Sequence, residues 1–291
     1  MIYTSGGNNT IHAAADINEV YTGRGDDQIH VSGVYSTVHT AGGNNTIRAS
    51  GNGVDLQTGE GDDRLEAYIT GRFQGTQNSI HLGEGNNTLT GSLAVGDYRI
   101  TAGSGDDQIN LFGGSANLEI HAGEGNNTID IAFRGKPFTI TTGAGDDRIR
   151  AIDSTAGIFY VGEGNNIVEA GTGDDLIYAG SGDDTLAGGT GVNVIYAGEG
   201  NNTIFSTGMD SIYTGSGSDL FKLSPGEGIA TIHTFDESDR IDLGREMTVA
   251  DLSISQVGND TFLKLTATDD LFAVLKNVQA SSIDNRFFVH G

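Results

Sequence analysis

Apolar residues occupy two fixed positions around a short turn that recurs along the chain. The turn has the form Gly-x-Gly, then two Asn or two Asp, then an x residue and Ile, Leu or Val. The residues three places before and six places after the start of the turn are apolar in all twelve copies, from Ile2 and Ile11 to Ile212 and Phe221. The flanking positions are mostly polar, which is typical of strands with one buried face.

The spacing of the turns predicts a coil of strands. Copies begin at residues 5, 23, 41, 59, 83, 103, 123, 143, 162, 180, 198 and 215, and similar turns start at 171 and 189. The period is therefore close to 18 residues, halved to nine near the later copies. We expect each coil to contain two strands and two turns, with turns 18 residues apart stacked on one edge. The pattern predicts an all-β fold, a parallel β-roll or β-solenoid of about twelve coils.

The repeat divides the chain into three segments. Residues 1–161 keep the motif on one edge only, and within them 5–82 resembles 83–161. In both blocks the residue after each Asn or Asp pair runs Thr, Gln, Thr, Arg, which indicates duplication of a four-coil block. Residues 162–220 carry tandem nonapeptides, and 221–291 follow the last copy.

Composition narrows the function classes. The chain has 291 residues with 46 Gly, no Cys and a net charge of −24. Such a charge argues against nucleic acid or an anionic membrane as the main partner and favours a binder of cations. Without Cys there is neither a disulfide framework nor a thiolate site. No stretch approaches the ~18 apolar residues of a membrane span, and the N-terminal residues lack the basic and apolar parts of a signal peptide.

The residue types in the turn are suited to calcium. Ca²⁺ takes about six to eight oxygen ligands. A Gly-x-Gly turn exposes backbone carbonyls, because Gly tolerates the φ values that point several oxygens inward. The following Asp adds a carboxylate.

Residues 170–178 (AGTGDDLIY) and 179–187 (AGSGDDTLA) resemble the calcium-binding nonapeptide of RTX proteins. The last part of the chain resembles the C-terminal cap of secreted RTX proteins, through residues 217–221, 232–236, 239–243 and 273–278. The resemblance implies calcium ions between neighbouring turns, a β-rich cap within 221–291, and an extracellular protein. It also implies export by a type I channel through a C-terminal signal.

Candidate metal ligands follow from the turn register and the resemblance. The side-chain candidates are Asn9, Asp27, Asn45, Asp63, Asn87, Asp107, Asn127, Asp147, Asn166, Asp175, Asp184, Asn193, Asn202, Asp210 and Asp219. The backbone candidates are the carbonyls of Gly23, Gly25, Gly59, Gly61, Gly103, Gly105, Gly143, Gly145, Gly171, Gly173, Gly180 and Gly182. The histidines have no spacing typical of a zinc site.

Asn pairs and Asp pairs alternate along the main edge. Asp106-Asp107, for example, is followed one coil later by Asn126-Asn127. Stacked turns lie about 4.8 Å apart, within the ~8 Å screening length of physiological salt, so unbroken Asp pairs would repel each other. Alternation limits that repulsion and predicts weak sites. Two interpretations stay open: calcium in nearly all gaps between turns, or Asn turns that form a metal-free amide ladder.

An outward column of aromatic residues forms a candidate partner surface. Its members are Tyr21, His39, His81, His121, Tyr160, Tyr178, Tyr196 and Tyr213. Rings ~4.8 Å apart could pack on sugars or on another protein, or simply stack within a sheet. The turns on the opposite edge, such as 73–77, 134–137 and 153–157, vary in sequence, through either binding or drift.

No catalytic signature stands out, and the chain is predicted not to be an enzyme. The favoured function is a secreted, calcium-stabilised β-roll with a structural role in a surface layer, a matrix or an adhesin. The alternative is a polysaccharide- or cell-surface-binding module that uses the aromatic column or the varied edge. Residues 1–15 contain no Lys, Arg, Asp, Glu or Pro, the residues that usually protect an exposed strand edge. If Met1 is the true start, the first coil, which has Ile2 in its core column, is therefore expected to self-associate.

Overall fold

The structure, a computed structural model, describes residues 1–70, 77–152, 154–245 and 247–289. It divides into two compact units, Met1–Thr155 and Ala156–Gly291. Most of the predicted varied turn at 73–77, and Asp153 of another, lie outside the described residues. None of the helices in the described ranges is long and apolar enough to cross a membrane.

The first unit is built from parallel strands that stack in register. The strands before the main-edge turns pair with one another from coil to coil, and so do the strands after them. The strands are β1 Ile2–Tyr3, β2 Thr10–Ala14, β3 Asn18–Tyr21, β4 Gln28–His39, β5 Thr46–Gln57, β6 Arg64–Ile69, β7 Gln77–His81, β8 Thr88–Leu93, β9 Gly96–Thr101, β10 Gln108–Gly113, β11 Ala116–Gly123, β12 Thr128–Phe133, β13 Phe138–Thr142 and β14 Arg148–Ala151.

The two predicted apolar columns form the core of this unit. Ile100 pairs in register with Ile120, and Ile109 pairs with Ile129. All four side chains are fully buried. Burying one such side chain stabilises the fold by about 1.5–3 kcal/mol, so repetition over many coils compensates for a core that is only one or two residues thick.

Two coils differ from the predicted alternation of strand and turn. β4 and β5 each run for 12 residues without an interrupting turn on the opposite edge. They bend instead at Gly33 and Gly51, whose φ values are +141° and +125°. A Cβ atom at Gly51 would lie 1.9 Å from the Gly33 carbonyl oxygen, so only glycine allows the two bends to stack.

The second unit begins as the same parallel stack and ends in an antiparallel cap. Its parallel strands are β15 Gly157–Gly162, β16 Ile167–Glu169, β17 Leu176–Ala179, β18 Thr185–Gly189, β19 Val194–Gly198, β20 Thr203–Ser206, β21 Ser211–Thr214, β22 Leu220–Leu223, β23 Ala230–Ile232 and β24 Arg240–Asp242. The cap adds β25 Leu252–Val257, β26 Asp260–Leu265, β27 Leu271–Leu275 and β28 Phe288–Val289, with 3₁₀ turns at Val249–Asp251, Ala280–Ser282 and Asn285–Phe287.

The cap joins the stack through its own strands. β25, β26 and β27 form an antiparallel meander, β27 then pairs parallel to β23, and β28 pairs parallel to β24. The meander buries Leu263 and Phe272. The predicted all-β solenoid of about twelve coils with a β-rich C-terminal cap is therefore confirmed.

Candidate metal centre

The main-edge turns are held in register by their backbones. The middle residues of the Gly-x-Gly turns form parallel β-bridges between neighbouring coils, such as Ser104 with Glu124 and Ser181 with Glu199. The first glycine of a turn sits directly against the preceding turn: a Cβ atom at Gly123, where φ is +82°, would lie 1.9 Å from the Gly103 carbonyl oxygen. That close approach is why the motif needs glycine there.

The first residues of the Asn and Asp pairs form an outer ladder, in which each side chain accepts a hydrogen bond from the backbone of the following coil. The Asn86 Oδ1 atom accepts from the Asp106 backbone N–H at 2.7 Å, and the Asp106 Oδ1 atom accepts from the Asn126 N–H at 2.7 Å. These residues are largely exposed. The bond to the backbone needs only an Oδ1 atom, so both Asn and Asp can make it. Asn126 adds a second bond, because its Nδ2 atom donates to Asp106 Oδ1 at 3.1 Å.

The second residues of the pairs form an inner ladder, in which each side chain accepts a hydrogen bond from the backbone of the preceding coil. The Asp107 Oδ1 atom accepts from the Asn87 backbone N–H at 2.8 Å, and the Asn127 Oδ1 atom accepts from the Asp107 N–H at 3.0 Å. Asn87, Asp107 and Asn127 are each 1% exposed. The inner ladder therefore carries buried carboxylates, each of which has one oxygen left after its ladder bond is made.

Six buried turn carboxylates keep one oxygen without a hydrogen bond. In the described part of the chain, buried Oδ2 atoms without a hydrogen-bond partner occur on Asp27, Asp63, Asp107, Asp175, Asp184 and Asp219. An unpaired buried carboxylate oxygen is costly, and a cation is the partner that relieves the cost. These turns therefore fit Ca²⁺, which would neutralise the carboxylates and would take both carboxylate and backbone carbonyl oxygens as ligands.

Burial also raises the pKa of several of these carboxylates. The pKa of Asp175 rises to about 7, and the pKa values of Asp107 and Asp184 rise to about 6, in each case chiefly through desolvation. The neighbouring Asp106 and Glu84 push the pKa of Asp107 in the same direction by charge repulsion. The fold thus disfavours these charges unless a cation accompanies them.

Calcium-free protein should become more stable as the pH falls from about 8 to about 5. A folded-state pKa near 6–7 against about 3.9 in the unfolded chain means that the folded state binds more protons in this range. The desolvation penalty is therefore complete above the folded pKa values, and it shrinks progressively as the pH falls from there toward the unfolded pKa of about 3.9. Thermal melting of protein dialysed free of calcium, with an osmolyte added so that it is folded at low temperature, checks this. A melting temperature that is flat or lower at pH 5 would contradict it. In saturating calcium the trend should weaken, because protons and Ca²⁺ compete for the same oxygens.

The carbonyls of the turn are partly used by the backbone. The carbonyl oxygen of Gly103 accepts from the Glu124 N–H at 3.1 Å, and that of Gly180 accepts from the Glu199 N–H at 3.1 Å. Each keeps a second lone pair. Within the described ranges no three His, Asp or Glu side chains converge closely enough to hold a metal ion. Calcium bound at a turn would therefore take much of its coordination from the backbone.

A second edge carries the remaining predicted ligands. The Asp175 Oδ1 atom accepts from the Gly157 N–H at 2.6 Å, and the Asn193 Oδ1 atom accepts from the Asp175 N–H at 2.9 Å. Asp210 differs from the main-edge carboxylates, because its two oxygens accept from Ser206 Oγ at 2.6 Å and from Asn193 Nδ2 at 2.8 Å. Asp210 is thus satisfied without a cation.

One buried carboxylate was not predicted. Asp239 continues the inner ladder into the cap: its Oδ1 atom accepts from the Asp219 N–H at 3.0 Å, and its Oδ2 atom accepts from the Asp236 N–H at 2.8 Å. It is 1% exposed. The signal in the sequence is its spacing, because Asp239 follows Asp219 by one 20-residue coil although no Gly-x-Gly precedes it.

The outward aromatic column is a stack of rings. Tyr160, Tyr178, Tyr196 and Tyr213 stack with centroids 5.2, 4.8 and 4.8 Å apart, and His233 continues the stack at 4.1 Å from Tyr213. Tyr21 stacks on Tyr3 at 4.8 Å and lies 5.3 Å from His39. The two remaining histidines of the predicted column form hydrogen bonds with side chains: His81 with Thr101, and His121 with Glu119.

The comparison with protein-family models agrees with this geometry. The family model of the RTX calcium-binding nonapeptide repeat matches four times, at residues 3–33, 160–195, 181–208 and 187–221. A comparison with curated proteins returns no match. Among solved structures, the extracellular lipase LipA from Serratia marcescens is similar at 15% identity with a TM-score of 0.27. The match covers 77% of this chain but only 40% of the lipase. The chain therefore carries RTX calcium-binding nonapeptide repeats within a parallel β-solenoid.

Proposed function

We propose that the protein works outside the cell as a calcium-stabilised β-roll with a structural role, in a surface layer, a matrix or an adhesin. The observation that carries this is the column of buried carboxylates whose Oδ2 atoms lack hydrogen bonds. Submicromolar calcium inside a cell would leave the chain unfolded for export through a type I channel, and millimolar calcium outside would fold it. The prediction that the chain is not an enzyme remains a prediction.

Calcium-dependent assembly tests the structural role. Static light scattering and sedimentation velocity during a calcium titration should show particles larger than one chain at millimolar calcium. The variant Ile2→Lys tests whether the first coil provides the contact, since Ile2 pairs in register with Val20 of the next coil. A strictly monomeric protein at high concentration and millimolar calcium would argue against a lattice or self-assembling role.

A polysaccharide- or cell-surface-binding function is the second candidate, and the aromatic column is the surface that favours it. Tyr160 is 43% exposed, which leaves a ring edge available to a partner. The ring faces of Tyr178 and Tyr196, which would pack on sugars, are however covered on both sides by neighbouring rings at 4.8–5.2 Å. The stacking therefore supports a structural role for the column.

Replacing Tyr178 by Ala should lower stability without changing glycan binding. Tyr178 stacks on two neighbours, and each aromatic pair is worth about 0.5–1.5 kcal/mol, so we expect a loss of about 1–3 kcal/mol. Chemical denaturation in saturating calcium measures the loss, with Tyr178→Phe as the matched control that keeps the ring. Glycan-array binding by the parent that disappears in Tyr178→Ala, with stability unchanged, would favour the second candidate.

A further inference from the structure

The inner Asn residues close their own turns with their amide groups. The Nδ2 atom donates to the carbonyl oxygen of the glycine two residues earlier: Asn45 to Gly43 at 2.8 Å, and Asn87 to Gly85 at 2.9 Å. The same bond occurs in the four remaining Asn turns of the main edge, at 2.5, 3.0, 3.0 and 3.2 Å for Asn9, Asn127, Asn166 and Asn202.

The amide also reaches the first glycine of the turn. The Asn127 Nδ2 atom lies 3.3 Å from the Gly123 carbonyl oxygen, and the Asn202 Nδ2 atom lies 3.4 Å from that of Gly198. The two carbonyls of a Gly-x-Gly turn are thus both faced by amide hydrogens, which carry partial positive charge. A calcium ion at these carbonyls would have to displace the amide and would be repelled by it.

The Asp turns have the same backbone but present an oxygen at this place. Gly105 of an Asp turn and Gly125 of the next Asn turn have φ values of +124° and +109°. The Oδ1 atom of either residue type is held in the inner ladder. Since both side-chain groups are planar and of equal size, we expect the Asp107 Oδ2 atom to lie where Nδ2 lies in Asn127. There it would face the turn carbonyl oxygens without a hydrogen between them, which accords with its lack of a hydrogen-bond partner.

We propose that calcium binds only at the Asp turns, and that the Asn turns are closed by their own amides and take no ion. This rests on the proposed calcium-binding function and states which turns carry it out. The inner Asn residues are then internal substitutes for a cation rather than ligands. Successive ion-binding turns on the main edge are separated by two coil spacings, about 9.6 Å, which exceeds the ~8 Å screening length.

Two single-residue exchanges in neighbouring coils test the proposal. Asp107→Asn should reduce the number of bound calcium ions by about one and raise the melting temperature of the calcium-free protein, because the new amide can donate to the Gly105 carbonyl. Asn127→Asp should add about one ion and lower the calcium-free melting temperature. Equilibrium dialysis with metal analysis gives the ion count. Melting in excess chelator gives the stability, with an osmolyte added to all variants so that the calcium-free protein is folded at low temperature. Asp63→Asn and Asn87→Asp repeat the test in the preceding coils.

The outcomes separate this proposal from the proposed function. Circular dichroism at saturating calcium first establishes that each variant folds. Binding by the parent of one ion in each of the eleven gaps between the twelve main-edge turns, or an unchanged ion count in Asn127→Asp, would overturn the amide-closure proposal while calcium binding stands. A parent that binds no calcium would overturn the proposed function itself. A calcium-free melting temperature that falls in Asp107→Asn would overturn amide closure independently of the ion count.

Discussion

In excess chelator the protein should lose most of its β-sheet circular dichroism and recover it cooperatively when calcium is returned. Each site saturated at 100 times its dissociation constant adds about 2.7 kcal/mol to stability, and several sites add together. Without the ions, buried carboxylates such as Asp107 and Asp184 keep unpaired oxygens, and the net charge of −24 opposes compaction. A thin core then has to offset the conformational entropy of the chain alone.

Two controls make this result specific. Magnesium should restore folding poorly at the same concentration, because it demands a smaller octahedral site than calcium. Sodium chloride at matched ionic strength should also be insufficient, since it screens surface charge but does not supply a ligand to a buried oxygen. A spectrum and melting temperature that do not change in chelator would refute calcium-driven folding.

Gly123→Ala should destabilise the folded protein by about 2–5 kcal/mol, even in saturating calcium. The left-handed φ of +82° costs alanine about 1–2 kcal/mol, and forcing an atom into a packed region costs about 1–3 kcal/mol more. The added Cβ atom would lie 1.9 Å from the Gly103 carbonyl oxygen, so the coil would have to move away from its neighbour. That movement would also weaken the Glu124 N–H bond to Gly103 at 3.1 Å.

Gly114→Ala is the matched control in the same stretch of coils. A Cβ atom at Gly114 meets nothing within 4 Å, and its φ lies outside the left-handed range. We expect a change of no more than about 0.5 kcal/mol. Denaturant titration at saturating calcium compares the two variants. Equal stability of Gly123→Ala and Gly114→Ala would mean that the coils are not as tightly stacked at the turn as the structure indicates.

Much of the fold could be predicted because the repeat encodes it locally. A residue such as Ile120 is apolar in the same place in every coil, and that periodicity alone predicts a buried column and a parallel register. The continuous strands β4 and β5 were not predicted, because their bends depend on Gly33 and Gly51 lying against each other across coils. Local sequence shows a glycine but does not show what approaches it.

The repeat also placed the Asn and Asp pairs on one edge, and with them the residue types that calcium prefers. It did not distinguish the two roles within a pair, because the outer and inner ladders run in opposite directions and use backbone partners 17 to 24 residues away. Only the tertiary structure shows that Asn127 turns its amide onto its own glycine carbonyls while Asp107 is left with an unpaired oxygen. The amino-acid sequence by itself therefore determined the length of a coil, the two apolar columns of the core and the calcium-compatible residue types on the main edge. The stacking of coils decided which oxygens remain for a cation, because hydrogen-bond partners are set by register between residues that are distant in the chain.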